Sequence, residues 1–407
     1  MSATVLTSTP TTVRVQSSDL ISALADVNAA MPRRLQRPLQ HGVRISHHGG
    51  VLLIERTDGH TWAHAQLSTV DDVRALDLGP AGALVVSARA LTGLVRAIGH
   101  GHELHLSLVD GLSDNVDDGY VALQLVGDGT TYRLLLLNTG DTWPTSQRSA
   151  GEHIATLTGE QLQQLTRAVT SADTDPTLPV LNHVYLEEHQ GHLTASGTDR
   201  YRLTEVTVPT AVPDGFTALV PSSALVLAAK LARRDGSATL SLDRQETLEG
   251  KKLDALTFNV GAHRSLRVPL LDSPYPKVRS LWSDPKYTLH VERTALRQAV
   301  RRIAEAVSGH TPVVLHFTGT ALTVRTNQQL STSDCAASTT IPCQPGTLTE
   351  PFTTAVQPDF LLDGLDVVAD ERIALGLTHP TRPLILSAPD SPARYLLMPV
   401  RLRDGVL

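Results

Sequence analysis

The sequence predicts an α+β protein of three similar domains, each with two helices packed on antiparallel sheets. Three observations carry this reading. Alternating apolar hairpins recur at "GVRISHHGGVLLIERTDGHTWAHA", "HVYLEEHQGHLTASGTDRYRLTEV" and "VVLHFTGTALTVRTNQQLSTSD", each with Thr followed by Asp or Asn. A helical pattern precedes each hairpin and a second one follows it. The markers keep one order and nearly one spacing. Thr57, Thr198 and Thr326 lie 141 and 128 residues apart, Leu20, Leu162 and Leu296 142 and 134, and Val86, Val220 and Val356 134 and 136. Recurrence at a fixed period marks a repeated architecture.

Residues 1–12 are rich in Ser and Thr and read as a flexible tail. Domain 1 (13–147) opens with the helical pattern "SSDLISALADVNAAM", for which Ser17 or Ser18 is the candidate cap. After its hairpin comes "VSARALTGLVRAI", led by Val86, and the domain closes near Trp143-Pro144. The polar stretch "SQRSAGE" leads into domain 2 (148–283). Its helices are "TGEQLQQLTRAVTSA", with Thr158 as candidate cap, and "VPSSALVLAAKLARR", and it closes near Tyr275-Pro276. "SDPK" leads into domain 3 (284–407), with helices "ERTALRQAVRRIAEAV" and "VQPDFLLDGLDVVAD" and the closing strand "RYLLMPVRL". Each unit is of ordinary domain size.

Composition narrows the function. The chain of 407 residues is 41% hydrophobic and 19% charged, as in ordinary globular proteins. No apolar run approaches the roughly 20 residues of a membrane helix, and no signal-peptide pattern opens the chain, so no membrane association and a cytoplasmic setting are expected. Cys335 and Cys343 are the only cysteines and form no CxxC pair. The net charge of -6 argues against gripping nucleic acid by bulk charge. His60 and His64 lie on an alternating segment and share no helix face, so no metal is expected, nor any other cofactor. A P-loop and a GxSxG elbow are both missing from the sequence. Asp58, Asp199 and Asn327 share one repeat position, which points to a turn role.

Three segments resemble the bacterial DNA sliding clamp, the β subunit of DNA polymerase III. Thr198-Asp199-Arg200-Tyr201-Arg202-Leu203 is similar to the family's TDGHRL segment, "YPKVR" (Tyr275 to Arg279) to its FPDYR segment, and Tyr395 to Leu402 to its YVVMPMRL ending. The resemblance covers nearly the whole chain from about residue 13. It departs at Arg200-Tyr201, where the family has Gly-His, and in the residues "RDGVL" that follow Leu402.

The resemblance implies a non-catalytic processivity factor, a homodimer whose two chains join head to tail into a ring around duplex DNA. Polymerase subunits, the clamp loader and repair factors would dock through short peptide motifs in a groove between domains 2 and 3. Its expected walls are Leu178, Leu181, Thr198, Arg200, Tyr201, Arg202, Leu203, Pro276, Leu281, Phe360, Thr381, Pro383, Leu397, Met398, Pro399, Val400, Arg401 and Leu402. Apolar lining with a polar minority suits such a groove, and Met398 suits several partners. Leu396 should instead turn inward by alternation.

Helices would line the hole. Expected to face DNA are Arg33, Arg34, Arg37, Arg89, Arg96, Arg167, Lys230, Arg233, Arg234, Arg293, Arg297 and Arg301. Arg293, Arg297 and Arg301 form a stripe opposite Leu296, Val300, Ile303 and Val307. The last helix is acidic, with Asp359, Asp363, Asp366 and Asp370. Two alternatives remain: a specialised paralogous ring with altered partners, and an enzyme on a repeated scaffold using Asp199 and a histidine.

Overall fold

The computed structural model describes residues 12–32, 38–70, 83–110, 121–137, 143–144, 151–244, 254–306, 311–326, 336–344 and 346–401. One element order recurs three times. The first copy has strands β1 (Val13–Gln16), β2 (Gly42–His48), β3 (Val51–Thr57), β4 (Trp62–Ser68) and β5 (Ala83–Ser87). It ends with β6 (Glu103–Asp110), β7 (Val121–Gly127) and β8 (Thr130–Leu135). Helix α1 (Ser17–Ala29) follows β1, and α2 (Ala88–Ile98) follows β5.

The second copy runs β9 (Glu152–Thr158), α3 (Gly159–Leu165), β10 (His183–His189), β11 (His192–Thr198) and β12 (Arg202–Val208). It continues with β13 (Thr217–Pro221), α4 (Ser222–Asp235), β14 (Ser237–Asp243), β15 (Ala255–Val260) and β16 (Arg264–Pro269). The third runs β17 (Tyr287–Glu292), α5 (Arg293–Glu305), β18 (Val313–Phe317), β19 (Ala321–Thr326) and β20 (Ser338–Gln344). It ends with β21 (Phe352–Val356), α6 (Pro358–Val367), β22 (Arg372–Leu377), β23 (Leu384–Ser387) and β24 (Ala393–Leu397).

Two compact units emerge. One is Met1–Gly159 with Lys230–Leu270, the other Glu160–Ala229 with Leu271–Leu407. The first holds a four-stranded sheet, β1-β6-β7-β8, and an eight-stranded one, β5-β2-β3-β4-β16-β15-β14-β9. The second is built on a twelve-stranded sheet, β13-β10-β11-β12-β24-β23-β22-β17-β20-β19-β18-β21. In both units the copies are joined by antiparallel pairing of a hairpin strand with a last strand. Trp62 pairs with Arg267 across β4 and β16, and Leu203 with Leu396 across β12 and β24.

Local chemistry fixes the helices. On α5 the buried stripe is Leu296, Ala299, Val300 and Ile303, and its cap is Glu292, whose carboxylate accepts from the N–H groups of Thr294 and Ala295. Ser87 caps α2 through a bond from the Ala90 N–H. Ser17 is not a cap: Gln16 holds that position without a side-chain bond, and the buried Ser17 hydroxyl accepts from the His102 N–H. Val86, Val220 and Val356 sit in strands β5, β13 and β21, so the second helices start after them. The predicted helix from Thr158 becomes α3 and then a 3-10 turn, Thr166–Ser171. There the Ala168 carbonyl lies so near β11 that a Cβ on Gly197 would stand 2.0 Å from its oxygen, so any other residue at 197 would force the backbone to shift.

Candidate peptide-binding surface

The loop between β11 and β12 builds itself from short polar side chains. Thr198 Oγ1 donates to the Arg202 carbonyl (2.7 Å) and accepts from the Arg200 N–H (3.2 Å). Asp199 Oδ1 accepts from the N–H groups of Tyr201 and Arg202, at 3.0 Å each. The first copy repeats the pattern. Thr57 Oγ1 donates to the Thr61 carbonyl and accepts from the Gly59 N–H, while Asp58 Oδ1 accepts from the N–H groups of His60 and Thr61. The aspartates therefore have the turn role expected of them. With its lone pairs engaged this way, Asp199 is a structural group. Asn327 lies outside the described residues.

Arg202 ties this loop to α6. Its Nε donates to Asp199 Oδ2 at 2.8 Å, its Nη1 donates to the Asp363 carboxylate, and its guanidinium lies 4.3 Å from the Phe360 ring centroid. Burial works against the charge on Arg202, but the Tyr395 oxygen and the carboxylates of Asp363 and Asp199 outweigh it, so its pKa rises above the ordinary value. Tyr395 is fully buried, and its hydroxyl donates to the Phe360 carbonyl at 2.7 Å. A Cβ at 364 would stand 2.5 Å from the Tyr395 ring, so Gly364 lets that ring pack against α6.

Tyr201 and Met398 form the exposed part. The Tyr201 ring stacks on Phe360 with centroids 6.3 Å apart, and its carbonyl accepts from the Met398 N–H at 2.8 Å. Tyr201 is 57% exposed, Met398 37% and Leu281 44%. Leu203, Leu396 and Val278 form a buried cluster with Tyr275 and Trp282 packed on it. Arg394 lies 4.1 Å from the Trp282 ring and donates to Glu205, whose carboxylate also faces Arg279.

Several expected groove residues take other places. Leu203 and Leu397 are 1% and 0% exposed, so they back the surface instead of lining it. The cause is two-sided cover: Tyr275 to Trp282 lies over Leu203 and Leu396, while α6 packs on β24 near Tyr395. Leu396 turns inward as alternation predicts, and with Val278 it links β12, β24 and the 275–282 segment, a contact the sequence reading did not assign. Leu181 is nearly buried, with Leu178 half-buried in the same loop. Pro276 is exposed, Pro383 is half-buried before β23, and Thr381 bonds His379 at 2.9 Å. Pro399 follows the end of β24, the Val400 N–H donates to the Ala355 carbonyl, and Arg401 is exposed. Leu402 lies outside the described residues.

The cationic set divides likewise. Arg89, Arg96, Lys230, Arg233 and Arg301 are exposed. Arg234 instead donates to Ser22 and Asp26, and Arg264 donates to the same Asp26 and to Asp235. Arg297 makes a bidentate pair with Asp366 at 2.9 Å, Arg293 donates to the Leu365 carbonyl, and Arg167 to the Val367 carbonyl. Arg234 and Arg297 are thus paired with carboxylates, while Arg293 and Arg167 are each tied to a backbone carbonyl. The acidic face of α6 is thus largely answered from within, Asp363 by Arg202 and Asp366 by Arg297. Arg33, Arg34, Arg37 and Val307 lie outside the described residues. Among the described residues no helix is long and apolar enough to cross a membrane, and no group of three His, Cys, Asp or Glu side chains could hold a metal.

Comparison with known proteins agrees with this architecture. Residues 156–277 match the family described as DNA polymerase III beta subunit, central domain, and residues 279–401 its C-terminal domain. The beta sliding clamp of Streptomyces coelicolor is 27% identical over 403 residues, covering 96% of this chain and 99% of that protein. The beta sliding clamp of Micrococcus luteus is 27% identical over 337 residues, covering 81% and 98%. In fold, the chain is similar to a sliding clamp (DNA polymerase III subunit beta) from Pseudomonas aeruginosa bound to griselimycin. The TM-score is 0.83 at 18% identity, covering 97% of this chain and all of that one. The chain belongs to the bacterial sliding clamp family, the beta subunit of DNA polymerase III.

Proposed function

We propose that the protein acts in the cytoplasm as a ring of two chains, each contributing domains 13–147, 148–283 and 284–407. The ring encircles duplex DNA and tethers polymerase subunits, the clamp loader and repair factors. Their short peptides dock around Tyr201, Phe360, Met398 and Leu281, with Arg401 as a polar contact. Retention on DNA is topological, so weak contacts from exposed Arg89, Arg96, Lys230, Arg233 and Arg301 suffice, consistent with a net charge of -6.

One observation carries the ring. The joints β4·β16 and β12·β24 repeat, and a third joint of the same kind needs β20 and β8. Among the described residues β8 has only β7 along its length, and β20 meets β17 only at Cys343 and Gln344. Such edges invite pairing with another chain. The bonds from the N–H groups of Leu137, Leu271 and Val400 to the carbonyls of Val85, Leu219 and Ala355 align β8, β16 and β24. Thr57, Thr198 and Thr326 align β4, β12 and β20. The transferred register sets Ser338 opposite Tyr132 of the partner subunit, and Thr339 opposite Thr131 of the partner subunit. A head-to-tail interface of this kind closes into a ring when the rotation closes.

Retention on DNA tests the function. Protein loaded onto nicked circles by a clamp loader should co-elute with the DNA at moderate salt and be lost once the circle is cut. Equal retention on both forms would mean direct gripping and overturn the topological mechanism.

A further inference from the structure

Arg200 occupies a backbone position made for glycine. The loops 57–61 and 198–202 share their hydrogen bonds, yet the equivalent residue is Gly59 at φ 96° in one and Arg200 at φ 80° in the other. An L side chain is disfavoured at such φ. The first copy follows the backbone's preference. The second departs from it only where Tyr201, Phe360 and Met398 form an exposed surface.

The side chain held there is a cation with little to do inside the chain. Among the described residues its guanidinium makes one long hydrogen bond, to the Asp199 carbonyl at 3.4 Å, and no ion pair. Its acidic neighbours are already engaged. Asp199 and Asp363 are held by Arg202, and the Asp175 carboxylate, held by the N–H and hydroxyl of Thr177, attracts Arg200 through space without pairing with it among the described residues. The guanidinium stands 6.0 Å from the Tyr201 ring centroid, beside the aromatic step from Tyr201 to Phe360. An exposed cation against an aromatic edge suits a ligand with apolar anchors next to a carboxylate.

We infer that Arg200 is a specificity-determining residue that reads an acidic side chain of the docked peptide, next to the apolar anchors taken by Tyr201, Phe360 and Met398. The inference rests on the peptide-surface reading above and gives it a charge preference. Arg202 and Asp199 shape the loop, and Arg200 faces the partner.

The probes are fluorescein-labelled hexapeptides of Ser, Leu and Phe in which one Ser at a time becomes Asp or Asn. Anisotropy is measured on the full chain and on Arg200→Gly and Arg200→Lys. Arg200→Gly suits the backbone, so its Tm should match or exceed that of the parent. At low salt the parent should prefer Asp over Asn at one position by about threefold or more, as for an exposed ion pair. The preference should shrink at high salt. Arg200→Lys should keep part of it, and Arg200→Gly should abolish it while binding the Asn peptide within about twofold of the parent. Peptide binding with the same Asp preference in the parent and in Arg200→Gly would overturn the inference and leave the surface intact. Saturable binding of no peptide by any variant would overturn the surface and the inference together.

Discussion

The guanidinium of Arg202 lies 4.3 Å from the Phe360 ring centroid while its Nε holds Asp199 at 2.8 Å. One side chain thereby joins the turn after β11 to the acidic helix α6. Arg202→Ala leaves the carboxylate of Asp199, whose side chain is 11% exposed, without its charged partner. A cost of about 2 kcal/mol follows for such a group, read as a lower denaturation midpoint. Arg202→Lys keeps the charge but loses the planar fork and the stacking, and should recover less than half of that loss. Full recovery by lysine would show that charge alone matters.

Met398 is exposed, and its backbone is fixed by the bond to Tyr201. Met398→Ala should weaken peptide binding roughly fivefold, about 1 kcal/mol of lost apolar contact, with the dimer unchanged by sedimentation. Arg401→Ala should act in the same direction. Unchanged affinity in both variants would remove these residues from the docking surface.

The transferred register makes a covalent test of the ring possible. Thr339→Cys combined with Thr131→Cys, in a Cys335→Ser background, should yield a disulfide-linked dimer on a non-reducing gel, because directly opposed strand residues stand about 4.5–5.5 Å apart between Cβ atoms. Moving one cysteine to Ser338 should lower the yield sharply. Equal yields at 338 and 339 would mean that the register is wrong.

Exposed and internally paired cations should behave differently on DNA. Replacing Lys230, Arg233 and Arg301 with Ala should reduce the salt-dependent DNA contact, with the slope of log affinity against log salt falling by about one per lost phosphate contact. Arg297→Ala should leave the slope nearly unchanged, since Asp366 already holds that guanidinium. A larger slope change from Arg297 than from Arg301 would reverse the assignment.

Gly197 offers a check on packing beneath the loop. With a Cβ placed 2.0 Å from the Ala168 carbonyl oxygen, Gly197→Ala must displace β11 or the 3-10 turn. A destabilisation of about 2–3 kcal/mol is expected from such overpacking, measured by urea denaturation. Gly59→Ala, at an open loop position, should cost only about 1 kcal/mol through its positive φ.

The sequence by itself determined the repeat: hairpins alternate with period two, helices carry one apolar stripe, and the Thr-Asp turns bond their own backbone. These are local properties, legible because neighbouring residues decide them. The family resemblance rested on contiguous motifs for the same reason. Tertiary structure decided what each motif faces. Leu203 and Leu397 are apolar residues on alternating strands, and only the cover on both sides of β12 and β24 makes them core instead of lining. Arg293, Arg297 and Arg234 look like free cations in sequence, and only the arrival of Asp366, Leu365, Ser22 and Asp26 from distant segments engages them. Arg200 was visible as a departure from Gly. That it stands at φ 80° with no ion pair among the described residues, beside the exposed Tyr201 ring, depends on contacts across the chain that no local pattern encodes.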